Sequence, residues 1–229
     1  MSKLNVTALR SLVHDGLAAL ANKDNAPKMA AYMKTDMPFF GVKKPERLPL
    51  MRRMVTEFKP DSLDAYEAAV RALWKGKHRE EKYAAIFYAA RFKAFITVDA
   101  LPLYEALVRE GAWWDLVDDV AIHLIGAAYL KERKAVERVM DRFILDKDMW
   151  IRRTAIISQN KHRKATDEAR LFRYCQKTAH EKEFFIRKAI GWALREYGSV
   201  EPSRVLAFVD EHREELSGLS IREACKHLG

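Results

Sequence analysis

Phe184-Phe185-Ile186-Arg187-Lys188-Ala189-Ile190-Gly191-Trp192-Ala193-Leu194-Arg195-Glu196-Tyr197 is the stretch that decides the fold class. Ile186, Ile190, Ala193 and Tyr197 recur at i, i+4, i+7 and i+11, the spacing of one buried helical face. Phe185, Lys188, Trp192 and Arg195 follow at i, i+3, i+7 and i+10, on a nearly opposite face. A tryptophan between two cations and off the core stripe has two readings. It faces a ligand, or it packs on a neighbouring helix while the cations are solvated.

The same period runs through the rest of the chain. Asp61 is placed to cap a helix in which Leu63, Tyr66, Val70 and Leu73 recur at helical spacing. Ser220 and Glu223 have capping-box spacing for a short last helix. The Val/Ile/Thr alternation of a strand is missing over any useful length. Prolines such as Pro27, Pro38, Pro45, Pro60, Pro102 and Pro202 sit mostly between helical segments. The fold class expected is all-α. Trp74, Trp113, Trp150 and Trp192 follow one another at roughly 37 to 42 residues, the period of HEAT-type helix pairs. Each interval would hold two helices, and such pairs stack into a superhelix with a concave surface; the alternative that spacing leaves open is a compact irregular bundle. With no low-complexity linker and no internal shift of composition, residues 1–229 are expected to form a single domain.

The chain has 229 residues, 49% of them apolar, which fits a globular protein and excludes a disordered one. No apolar run reaches the roughly 18 residues that span a bilayer. Met1-Ser2-Lys3-Leu4-Asn5-Val6 lacks the apolar core of a secretory signal, so a cytoplasmic location is expected. Cys175 and Cys225 are then two reduced thiols. The histidines are scattered without an HxxxH or HExxH pair, so no metal ligand set and no cofactor is expected. The net charge of +9 favours a polyanionic partner.

Gly111-Ala112-Trp113-Trp114-Asp115-Leu116-Val117-Asp118-Asp119 sets two indoles ahead of three carboxylates in this basic chain. On a helix, Trp113, Leu116, Val117, Val120 and Leu124 form an apolar stripe, while Trp114 and Asp118, four residues apart, share another face. An indole and a carboxylate together off the core stripe suit a docking surface better than packing. A basic cluster, Trp150-Ile151-Arg152-Arg153 and then Lys161-His162-Arg163-Lys164, is either a solvated face or a set of phosphate contacts. Arg153 and Lys161 would lie about 80° apart on a helix, close enough to serve one groove.

These residues carry a family resemblance. Trp113-Trp114-Asp115-x-Val117-Asp118, Arg153 and the long run Phe184 to Tyr197 resemble the AlkD-like alkylpurine DNA glycosylases. Met29-Ala30-x-Tyr32-Met33-Lys34, Phe40-Gly41-Val42 and Pro45-Glu46-Arg47 are similar to that family's N-terminal part, so the resemblance runs from about Asn25 to the last helix. It implies a HEAT-like superhelix with duplex DNA in a basic concave face, and excision of cationic 3-alkyl- and 7-alkylpurines. It implies that Asp118 is the catalytic carboxylate, with Trp114 and Trp192 the indoles that hold the deoxyribose beside it. By the same resemblance Arg153 binds phosphate, and Lys161, Arg195 and Tyr32 match further DNA contacts. Phe185 and Lys188 share the Trp192 face and join this set. The implied enzyme is a monomer without metal or cofactor, in the cytoplasm and on the nucleoid through its DNA.

The implied chemistry suits these residue types. An alkylated purine is already cationic and departs neutral, so one carboxylate can serve where ordinary glycosidases use two. An ionised Asp118 would stabilise the sugar cation more in the transition state than in the ground state, and could orient the attacking water. The indole faces would add on the order of 0.5–2 kcal/mol each. Nearby arginines and lysines should keep the Asp118 pKa from rising. Two other classes remain open: a non-catalytic DNA-binding relative that keeps the basic cleft, and a helical-repeat scaffold for acidic peptides.

Overall fold

A computed structural model describes residues 4–228; Met1 to Lys3, part of the N-terminal leader argument, and Gly229 lie outside the described residues. The chain divides into two compact units, Met1–Ile96 and Thr97–Gly229. That boundary carries no linker composition, which is why the sequence suggested none. Both units are helical, and the described residues contain no strand.

The first unit contains α1 (Val6–Ala19), α2 (Asn25–Met33), α3 (Lys44–Glu57), α4 (Leu63–Trp74) and α5 (Arg79–Arg91). The cap of α4 falls one residue later than expected: the Ser62 hydroxyl, not Asp61, accepts from the Ala65 amide at 3.2 Å. Leu9, Val13 and Leu17 of α1 and Tyr66, Val70 and Leu73 of α4 are buried in this unit's core. The loop before α3 is pinned by a buried carboxylate. Glu80 accepts the backbone amides of Phe40, Gly41 and Val42 at 3.0, 2.8 and 3.0 Å. Gly41 has φ +85°, a conformation that disfavours any residue with a Cβ.

The second unit contains α6 (Leu101–Gly111), α7 (Trp114–Val120), α8 (Gly126–Lys131), α9 (Arg133–Phe143), α10 (Met149–Ile157), α11 (Glu168–Thr178), α12 (Phe184–Gly198), α13 (Pro202–Glu211) and α14 (Gly218–Ala224). The intervals marked by Trp113, Trp150 and Trp192 each carry a helix pair, α7–α8 with α9 and then α10 with α11. The architecture is all-α and built of helical repeats. Ala112 sits in the left-handed region at φ 32° and ends α6. Trp113 is extended, so it precedes α7 and does not head its apolar stripe. The buried members of that stripe are Leu116, Val117, Val120 and Leu124.

Between α7 and α8 the helix widens into a π segment, Ala121–Ile125. Such widenings often accompany functional sites. Gly126, just after it, lies against the end of α10. A Cβ there would meet the Ser158 carbonyl oxygen at 2.3 Å. The same close approach recurs at Gly191 of α12, where a Cβ would meet the Ser220 carbonyl oxygen of α14 at 2.8 Å.

The last helix is capped by Ser217, whose hydroxyl accepts from the Ser220 amide at 3.1 Å. The Ser220–Glu223 capping box expected from spacing therefore does not form. Ser220 is buried and donates to the Arg187 carbonyl, while Glu223 turns to α12.

Candidate active site

The second unit gathers the chemistry-bearing residues around one ion pair. Asp118 lies in the last turn of α7, immediately before the π segment. Arg153 comes from the middle of α10. Its Nε and Nη2 donate to the two Asp118 oxygens, each at 2.7 Å, and its Nη1 donates to the Phe185 carbonyl at 2.6 Å. Both side chains are largely buried, with 5% of Arg153 and 13% of Asp118 exposed. A two-oxygen pairing of this kind is the geometry of an ionised carboxylate held in one orientation. Tight packing of α7–α8 on α10 through Gly126 sets the two helices at the distance this pair requires.

Burial pushes the Asp118 carboxyl above the ordinary aspartate value, and the neighbouring Asp119 and Asp115 carboxylates add to the rise. The Arg153 hydrogen bonds and charge oppose it without cancelling it. The expectation that nearby cations would prevent any rise is thus corrected. Desolvation acts on the whole group, whereas Arg152 of the basic cluster and Lys188 and Arg195 of α12 are turned to other carboxylates.

Those other partners are specific. Arg152 donates to both oxygens of Glu181 at 2.8 and 2.6 Å. Lys188 and Arg195 of α12 both pair with Glu223 of α14, at 2.9 and 2.6 Å. Lys161 is exposed and lies past the end of α10, so the helical angle between it and Arg153 does not apply. His162 beside it is buried, with Nε2 2.8 Å from the Gly126 carbonyl. Arg153, implied by resemblance as a phosphate ligand, here spends three of its donors on Asp118 and Phe185.

An aromatic wall flanks the ion pair. Trp113 meets Trp150 at 6.0 Å and Phe185 edge-on at 5.4 Å, and Trp150 meets Phe185 at 4.9 Å. The Arg153 guanidinium lies 5.8 Å from the Phe185 ring centre. Phe184 stands 58% exposed at the start of α12 and touches Phe185 edge-on. The buried Trp113 Nε1 finds no acceptor among the described residues. Trp114 opens α7, one turn before Asp118, and is half-buried. Trp192 lies two turns after Phe185 on α12, half-buried, and its Nε1 donates to Glu196 at 3.0 Å. Its α12 stripe packs inward as the periodicity requires, with Ile186, Ile190, Ala193 and Tyr197 buried. Tyr32 belongs to the first unit and is 75% exposed, beside an apolar hollow lined by Met29, Met33, Phe39 and Tyr83.

Sequence spacing separates Asp118 from Arg153 by 35 residues and offers no sign that they pair. Trp150 and Trp113 likewise read as repeat markers and not as one wall. Only the fold brings α7, α10 and the start of α12 together.

Comparisons with known proteins bear on the family of the chain. A comparison with curated proteins finds no match. The chain is similar to the solved structure of a predicted DNA alkylation repair enzyme from Enterococcus faecalis, with a TM-score of 0.82 and 29% identity over 91% of this chain and 97% of that one. A family model described as DNA alkylation repair enzyme matches residues 13–228. The chain therefore belongs to the DNA alkylation repair enzyme family.

Proposed function

We propose that the chain is a DNA N-glycosylase that hydrolyses the glycosidic bond of cationic 3-alkyl- and 7-alkylpurines in duplex DNA. The observation that carries this reading is the Asp118–Arg153 pair: a carboxylate fixed by both oxygens, retaining an exposed edge, one turn from Trp114. Asp118 stabilises the positive charge that passes to the deoxyribose as the base departs, and orients water toward the anomeric carbon. The cationic base leaves neutral, so no proton need be donated to it. Trp114 and Trp192 offer indole faces to the same sugar cation.

Arg153 is a positioning residue in this mechanism. It holds the carboxylate ionised and aimed, and Phe185 supports it through its carbonyl and ring. Lys161, exposed beyond α10, is suited to a phosphate contact, and Tyr32 to a contact from the first unit. Lys188 and Arg195 reach phosphate only in competition with Glu223. The net charge of +9 supports DNA as the partner.

Chromatography of bases released from methylated duplex DNA tests the proposal. Release of 3-methyladenine or 7-methylguanine is expected. DNA binding without any released base would replace it with a non-catalytic role.

A further inference from the structure

In the first unit, three potential metal ligands converge that the sequence keeps far apart. His14 comes from α1, His78 immediately precedes α5, and Glu81 lies in the first turn of α5. The Glu81 carboxylate sits between the imidazoles, with Oε1 3.2 Å from His14 Nδ1 and Oε2 3.3 Å from His78 Nδ1. One donor atom from each residue lies within 4.8 Å of the others. We propose that His14, His78 and Glu81 form a binding site for one divalent first-row transition ion, with zinc as its occupant.

Three features of the surroundings support a built site. Ligands at the roughly 2.0–2.2 Å distances of tetrahedral zinc lie about 3.3–3.6 Å from one another, close to the two separations found here, one to each Glu81 oxygen, so the ion would draw on both oxygens of the carboxylate. His14 is exposed, so a small turn of its side chain closes the remaining edge. Glu81 is held in place: its Oε2 accepts the His78 amide at 2.8 Å, and it packs against Gly76, where an added Cβ would lie 2.5 Å from the Glu81 Cβ and Cδ. The His78 ring is fixed by stacking on Phe40 at 3.7 Å. Ligands whose orientation is fixed by a second layer of contacts bind metal more tightly. The group opens onto a cavity of about 410 Å³, which leaves the fourth position to water.

Two imidazoles and one carboxylate favour zinc and its neighbours over magnesium or calcium, which prefer all-oxygen shells. Arg10, Lys75 and Lys77 also line the cavity and disfavour a cation held by charge alone. The bound ion would tie α1 to the turn between α4 and α5, fastening the first unit.

The experiment uses the untagged full chain, stripped with chelator and dialysed against zinc chloride. Expected are close to one zinc per chain and, at free zinc about 100 times Kd, a Tm raised by roughly 5–10 °C. His14→Gln alters an exposed side chain and keeps the fold, and His78→Gln is the second probe; each should weaken zinc uptake at least tenfold. The proposal is overturned if the wild-type chain takes up no zinc and shows no shift. It is equally overturned if both variants bind as the wild type does, or if magnesium gives the same shift.

Discussion

Replacing Arg153 by Ala separates the two roles this guanidinium could have. The substitution removes two charge-assisted hydrogen bonds of 2.7 Å from a carboxylate that is only 13% exposed. Such bonds contribute about 1.5–3 kcal/mol each, so at least ~3 kcal/mol of preference for the ionised form is lost. At about 1.4 kcal/mol per tenfold, that loss disfavours the ionised form by roughly a hundredfold, and the Asp118 titration moves up further. In the wild type, burial already sets that carboxyl above its ordinary value. The rate therefore falls on acidification through a pH range above that of a free aspartate. The acid limb of kcat for 7-methylguanine release should shift upward in Arg153→Ala, and activity should recover at higher pH. The stability sign is opposite. A carboxyl raised by burial stabilises the fold fully only while protonated, and that contribution is lost as pH rises through its folded-state value. Thermal melts across pH should show this loss displaced to higher pH in the variant. If the acid limb stays in place and only KM rises, Arg153 acts on phosphate and the positioning argument is wrong.

Three further outcomes can be checked. Uracil and hypoxanthine depart as neutral bases that need protonation, so the purified protein should excise them poorly from duplex substrates; release at rates matching 7-methylguanine would require an acid that the mechanism lacks. Glu80→Ala strands three backbone amides in a buried loop and should lower stability by several kcal/mol in denaturant titration, with a cost under 1 kcal/mol showing that the loop finds other acceptors. Glu223→Gln frees Lys188 and Arg195, so DNA affinity at low salt should rise and its salt slope steepen by about one to two counterions; an unchanged slope would remove both cations from the interface.

The legible part of the molecule was what repeats. The period of Ile186, Ile190, Ala193 and Tyr197 gave the inward face of α12, and the tryptophan intervals marked helix pairs in the second unit. Local hydrogen-bond choices were less legible. Asp61 and Ser62 are both good caps, and only the backbone geometry selects Ser62. Ser220 does not cap because its buried contact to the Arg187 carbonyl outweighs capping geometry. The left-handed turn that moves Trp113 off the helix falls on Ala112 and not on the neighbouring Gly111, where the sequence would place it. At the site, Trp114 and Asp118 were visible because they share one helix. The Asp118–Arg153 pair and the His14–His78–Glu81 group were not, since each joins side chains from separate helices. The rise of the Asp118 pKa is hidden from the sequence for a related reason: spacing shows neighbouring cations, while burial and their other partners decide how many act.

Single-turnover release of 7-methylguanine from duplex DNA by Asp118→Asn, with DNA affinity measured on the same preparation, probes the proposed chemistry at its centre. Asparagine keeps the shape and one acceptor for Arg153 but removes the charge. The rate should fall by at least a hundredfold, about 2.7 kcal/mol of transition-state stabilisation, while DNA binding stays within a few-fold of the wild type. Excision at the wild-type rate would show that the sugar cation is stabilised by some other group.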